Sequence, residues 1–130
     1  MQAACIATLF PQFRRRNSGQ PTTGIWIGML QPSVESPKYV LRIIYALNKH
    51  PSVDVLNPKI RDNAPHRFAD GSLCLYYPDD GDWNPHAFIA RTIIPWASSW
   101  LYFYEHWLKS GIWLGSEAPH HTIKKRTKHK

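Results

Sequence analysis

The sequence predicts an α+β protein: a short N-terminal helix, an antiparallel β-meander, an irregular segment and then C-terminal helices. Three observations carry that prediction. Eleven prolines and seven glycines in 130 residues, against 43% hydrophobic residues, suit a turn-rich domain better than a helical bundle. Short β-branched and aromatic runs at 24–30, 38–45 and 53–56 are separated by proline-containing turns. Beyond residue 85 the period changes, and Trp96, Trp100, Phe103 and Trp107 recur at helical spacing.

Residues 2–10 read as about two helical turns stopped by Pro11, with Cys5, Ile6, Leu9 and Phe10 as the buried face. Arg14 to Thr23 reads as a polar turn around Asn17-Ser18-Gly19. Gly24 to Leu30 is β-prone and ends at Pro32, and Lys38 to Tyr45 is the clearest strand, paired antiparallel to it. Pro51 introduces a shorter strand, Val53–Leu56, which Pro58 closes; 57–65 is irregular. Asn84 suits a helix N-cap and Pro85 a first helical residue. A first helix is expected over His86–Ile94, kinked or restarted at Pro95, and a second over Trp96–Lys109 with Gly111 as its C-terminal cap. The aromatic stripe of that second helix reads as core rather than as a base-stacking platform.

The length suits one domain with one core. Cys5 and Cys74 form neither a disulfide framework nor a zinc-ligand spacing, and Cys5 reads as packing. There is no charged leader followed by a long apolar run, and Ile93–Leu108 is too short and too interrupted to span a bilayer. The expectation is a soluble, cytoplasmic protein with no membrane partner. Of the net charge of +7, most resides in Lys124, Lys125, Arg126, Lys128 and Lys130, with Arg14-Arg15-Arg16 the other basic cluster. The 122–130 segment is expected to be a disordered basic tail. Without interleaved aromatics it carries no sequence readout, so the charge argues little for a nucleic-acid partner.

The chemistry is sought in His66-Arg67-Phe68-Ala69-Asp70-Gly71-Ser72-Leu73-Cys74-Leu75. Gly71-Ser72 breaks regular structure, and the Leu-Cys-Leu alternation is expected to turn Cys74 away from its apolar neighbours. A thiol on a turn at the edge of a core suits acyl transfer, because donor and acceptor must both reach the sulfur. A small buried hydrophobe is the plainer role for a free cysteine. Asp79, Asp80 and Asp82 form a loop with no complete coordination set, and His120, His121 and His129 are too sparse for a site, so no metal is expected. No glycine-rich nucleotide loop is present and no cofactor is expected.

The order of elements and the residues they carry resemble the ubiquitin-conjugating (UBC) fold. Tyr39–Tyr45 followed by Pro51-Ser52-Val53-Asp54-Val55 is similar to that family's third strand and proline-led fourth. Gly71-Ser72-Leu73-Cys74-Leu75 is similar to its Gly-x-x-Cys-Leu, and Trp83-Asn84-Pro85 to its Trp-x-Pro. The run Trp100-Leu101-x-Phe103-Tyr104-Glu105-x-Trp107-Leu108-x-x-Gly111-x-Trp113-x-Gly115 resembles the bacterial ubiquitin-conjugating-like proteins of type II (short) CBASS anti-phage operons. The resemblance covers roughly residues 5–120 and implies a UBC-like catalytic domain over 1–121.

It implies that Cys74 takes an acyl group as a thioester and passes it to an amine. Eukaryotic members carry a His-Pro-Asn ahead of the cysteine, whose Asn steadies the oxyanion; this chain lacks it, and His66 stands at the Asn's position. His66 is therefore the second catalytic candidate, as a hydrogen-bond donor or as a base for the acceptor. The implied carrier and partner is a cGAS-like cyclic-nucleotide synthase (CD-NTase), whose C-terminus would be conjugated. The chain is too short to hold an adenylation domain, so a separate activating enzyme is a further partner, unless the acyl group comes from an existing amide or thioester. Conjugation and its reversal would look alike in sequence. Three alternatives stand beside this one: an inert binding module of the same fold, a small basic nucleic-acid-binding protein, and a papain-like hydrolase. The last is disfavoured because the histidine precedes the cysteine.

Overall fold

The computed structural model describes residues 2–17, 19, 23–46, 50–75 and 89–115. Helix α1 (Gln2–Leu9) is followed by strands β1 (Arg14–Arg16), β2 (Thr23–Leu30), β3 (Tyr39–Ala46) and β4 (Ser52–Asn57). A single 3-10 turn (Ile89–Arg91) then leads into helix α2 (Ile93–Ser110). The strands form one antiparallel sheet in the order β1-β2-β3-β4. The α+β class and the meander agree with the sequence reading.

Register follows from the period of two. Trp26 pairs with Ile43, Leu30 with Tyr39, and Ile43 with Val53, so one sheet face is a continuous apolar surface. That face meets Ile93, Ile94, Ala97, Trp100, Leu101 and Tyr104 of α2, with Ile6 of α1 completing the same cluster. The register slips where Val40 faces Asn57 but Leu41 faces Val55, leaving Leu56 exposed as a bulge at the end of β4. The chain leaves the sheet there, on its way to the site. A second tie between sheet and α2 is polar: Glu105 accepts from the Ser36 hydroxyl at 2.7 Å and the Tyr39 hydroxyl at 2.8 Å. Burial, and then the bond to Glu105, pushes the Tyr39 phenol well above its ordinary value, so it stays a donor.

Four expectations are corrected. Arg14–Arg16 is a strand rather than part of a turn; its side chains are all exposed, and an edge strand tolerates such charges because only its inner backbone edge pairs. Leu9 is 45% exposed, because among the described side chains of this two-turn helix Ile6 is the one bedded fully, with Cys5, and Phe10 just beyond the helix, partly buried against the core. Pro95 neither kinks nor restarts the last helix. It is the third residue of α2, where no intrahelical acceptor awaits its missing N–H, and the Trp96 N–H to Thr92 carbonyl bond follows at once. Thr92 is the residue before the helix, and 89–91 is a 3-10 turn, so no separate helix reaches Ile94. Within α2 only Trp100 of the aromatic stripe is fully buried; Trp96 and Trp107 lie against the margin of the core. Gly111 caps the helix as expected, its N–H reaching the Trp107 carbonyl at 2.8 Å. Trp83-Asn84-Pro85, the aspartates at 79, 80 and 82, the start of the expected first helix, and the 122–130 tail lie outside the described residues.

Candidate active site

From β4 the chain passes Ile60, which is buried, and Arg61, whose N–H donates to the Tyr104 hydroxyl of α2 at 3.1 Å. A tight hairpin over 66–74 follows. Arg67 and Leu73 pair as an antiparallel bridge, the Phe68 N–H reaches the Ser72 carbonyl at 2.8 Å, and the Cys74 N–H reaches the His66 carbonyl at 3.0 Å. The reason lies in the turn. Asp70 accepts from both the Ser72 N–H (2.9 Å) and the Ser72 hydroxyl (2.6 Å), and Gly71 takes φ 92°, a left-handed conformation that suits glycine.

Three ties pin the hairpin to the fold. The Leu73 N–H donates to the Val53 carbonyl of β4 at 2.9 Å. Arg67 donates to the Gly71 carbonyl (3.1 Å) and the Arg61 carbonyl (2.9 Å), clamping turn to incoming loop. From α2, the Trp100 indole N–H donates at 3.0 Å to the same His66 carbonyl that receives Cys74. Both lone pairs of that oxygen are used. His66 itself takes φ 60°, a left-handed backbone that is uncommon outside glycine and costs about 1–3 kcal/mol when the surroundings impose it.

The two residues singled out in the sequence are thus brought together, as directly opposed positions at the base of one hairpin. Leu73 and Leu75 enter the core cluster, while Cys74 stands outside it among the described residues. The expectation of an open thiol is corrected, however: Cys74 is 7% exposed, less than Cys5. The hairpin's neighbours close over its base as well as over its leucines. The His66 ring is half-buried and meets the Trp113 ring at 4.7 Å between centroids, tilted 52°. A cleft of about 460 Å³ between Ser36, Tyr39, Lys59, Glu105 and Lys109 is lined by neither Cys74 nor His66. We place the site at the hairpin rather than in that cleft, because the hairpin sets a thiol opposite an imidazole-bearing residue, whereas the hydroxyls and carboxylate of the cleft are spent on one another in the Ser36–Glu105–Tyr39 tie.

The Ser72 hydroxyl, then its N–H, holds the Asp70 carboxyl below its ordinary value of 3.8. Stability from such a group is present above the unfolded-state value and is lost as pH falls through the lower folded-state one. Acidification below about 4 should therefore weaken amide-exchange protection at Ser72, and Asp70→Asn should flatten that response. The effect is confined to the turn, because Asp70 is exposed.

What the sequence reading missed is the aromatic support. In the sequence Trp100 reads as packing alone, but its N–H also fixes the His66 carbonyl, and the Trp113 ring lies against the His66 ring. Spacing alone signals neither, because both reach the hairpin across more than thirty residues of chain.

Among the described residues no group of three or more His, Cys, Asp or Glu side chains could hold a metal ion, and no helix is long and apolar enough to cross a membrane. No curated protein matches the chain. The family model described as "Type II CBASS E2 protein" matches residues 2–121, taking in the whole hairpin and α2. The chain therefore belongs to the type II CBASS E2 family, an E2-like component of anti-phage defence.

Proposed function

We propose that this protein is a UBC-like acyl transferase that carries a protein's C-terminal carboxyl as a thioester on Cys74 and delivers it to a target amine. Residues 1–121 would be the catalytic domain and 122–130 a basic appendage. The supporting observation is the backbone pairing of Cys74 with His66 on a hairpin pinned from three sides, in a chain of this family. The Cys74 thiolate attacks the activated carbonyl, a C–S bond forms, and the activating group departs with the bonding pair. An amine then attacks the thioester, the C–N bond forms, and Cys74 leaves as thiolate. His66 donates a hydrogen bond to the tetrahedral oxyanion or takes the amine's proton. The carrier would be the cGAS-like synthase (CD-NTase) of the same operon. A separate activating enzyme would supply the activated carboxyl, unless an existing amide or thioester bond does.

Intact-mass spectrometry under non-reducing conditions tests this, with the chain mixed with the synthase, with and without an activating enzyme. A dithiothreitol-sensitive adduct is expected on the native chain, and a dithiothreitol-resistant oxyester on Cys74→Ser. No adduct under any condition would sink the reading.

The burial of Cys74 favours a second reading, an inert binding module. Alkylation separates the two. A catalytic Cys74 should react with iodoacetamide faster than Cys5 although it is less exposed, whereas equal, slow labelling identifies the inert form.

A further inference from the structure

We infer that Trp113 is a positioning residue whose indole ring holds the His66 imidazole in place for the transfer step; this rests on the acyl-transfer reading above. The segment after α2 is built to deliver that ring. Gly111 reverses the chain, the Ile112 N–H donates to the Ser110 hydroxyl at 3.1 Å, and that hydroxyl donates to the His106 carbonyl at 2.9 Å. Gly115 then packs closely on Phe103: a Cβ there would sit 2.4 Å from the ring, so any larger residue must displace the ring or the strap. Between these points Trp113 contacts Trp100 at 5.2 Å, Phe103 at 6.0 Å and His66 at 4.7 Å.

The two tryptophans serve His66 differently. Trp100 uses its N–H on the His66 carbonyl and so fixes the backbone. The Trp113 N–H is buried and has no hydrogen-bond partner among the described residues, so what this residue offers His66 is the face and edge of its ring. Backbone fixation by itself does not set the side-chain torsions of the imidazole. The tilted ring contact limits that freedom, and a small misplacement of a catalytic group is costly to rate.

The test uses the full chain and a peptide matching the synthase's last residues, presented as its 2-mercaptoethanesulfonate thioester. Cys74 thiolate displaces 2-mercaptoethanesulfonate as the free thiolate (loading). The ε-amine of Nα-acetyllysine then attacks, Cys74 leaves, and the amine's proton passes to His66 or to water (discharge). Trp113→Ala should leave loading within about threefold and slow discharge by about 10- to 100-fold. Trp113→Phe keeps a ring without the N–H and should restore discharge to within about threefold. In a His66→Gly background, Trp113→Ala should add no further loss, because it acts through a ring no longer there. Should Trp113→Ala fail to fold, Trp113→Leu fills the space without an aromatic face and is expected to discharge as slowly.

Unchanged discharge in Trp113→Ala or Trp113→Leu, an additive loss in the double variant, or a Trp113→Phe as slow as the alanine variant each overturns the inference. A native chain that never loads overturns the acyl-transfer reading, and this one with it. A His66→Gly variant that discharges at the native rate overturns the role of His66 and this inference, but leaves the thioester on Cys74 standing.

Discussion

Trp100→Ala is expected to lower the stability of the fold by about 3–5 kcal/mol, the range for truncating a large buried aromatic. Trp100 is 1% exposed, stacks on Tyr104 at 5.4 Å and meets Trp113 edge-on at 5.2 Å. It is also the polar link from α2 to the hairpin, through the His66 carbonyl. Against a typical total of about 5–15 kcal/mol, that loss is a large share. Urea titration should show a lower midpoint with little change in slope. Trp100→Phe separates the two contributions. It keeps much of the packing but strips one of the two donors from the His66 carbonyl, which still accepts from the Cys74 N–H, so about 0.5–1.5 kcal/mol is expected for the lost bond. Trp96→Ala, on the same stripe but at the core's margin, should cost less than Trp100→Ala. A Trp96 effect equal to that of Trp100 would mean that the whole stripe, and not one residue of it, carries the packing.

The contrast between those two tryptophans shows what was legible in the sequence and what was not. The three long strands were legible because prolines bound them and their apolar residues alternate, and alternation needs only one buried face. Gly111 was legible because a left-handed cap has few other occupants. Strand β1 was not, since three arginines carry no apolar period and the strand exists only through its pairing with β2. Pro95 misled because proline breaks helix interiors yet is harmless in a first turn, and the true start at Ile93 has no side-chain cap to announce it. The cysteine could be named from its turn and its flanking leucines, and the histidine from the resemblance to the ubiquitin-conjugating family. Their opposition across one hairpin depends on the Asp70–Ser72 turn, and the closure over Cys74 on packing from distant parts of the chain. Local chemistry was readable; the aromatic scaffold behind it is tertiary.

His66→Gly is expected to slow transfer from the Cys74 thioester to an amine by about 10²- to 10³-fold, the loss typical of a missing acid–base group or oxyanion donor. Glycine is the informative replacement here. It accepts φ 60° without strain, so the hairpin backbone and its bonds to Cys74 and Trp100 should survive, and the loss reports the imidazole alone. Alanine would confound the two, because its Cβ resists the left-handed region. His66→Asn goes further. Asparagine tolerates the same backbone, carries an N–H donor, and cannot act as a base near neutral pH. If His66 serves as the hydrogen-bond donor that replaces the missing His-Pro-Asn amide, His66→Asn should keep transfer within about tenfold of the native rate. That is the expected outcome, since the residue is fixed by its backbone in a conformation asparagine shares. An asparagine variant as slow as the glycine one would instead assign His66 to moving the amine's proton, and single-turnover discharge followed by intact mass distinguishes the two.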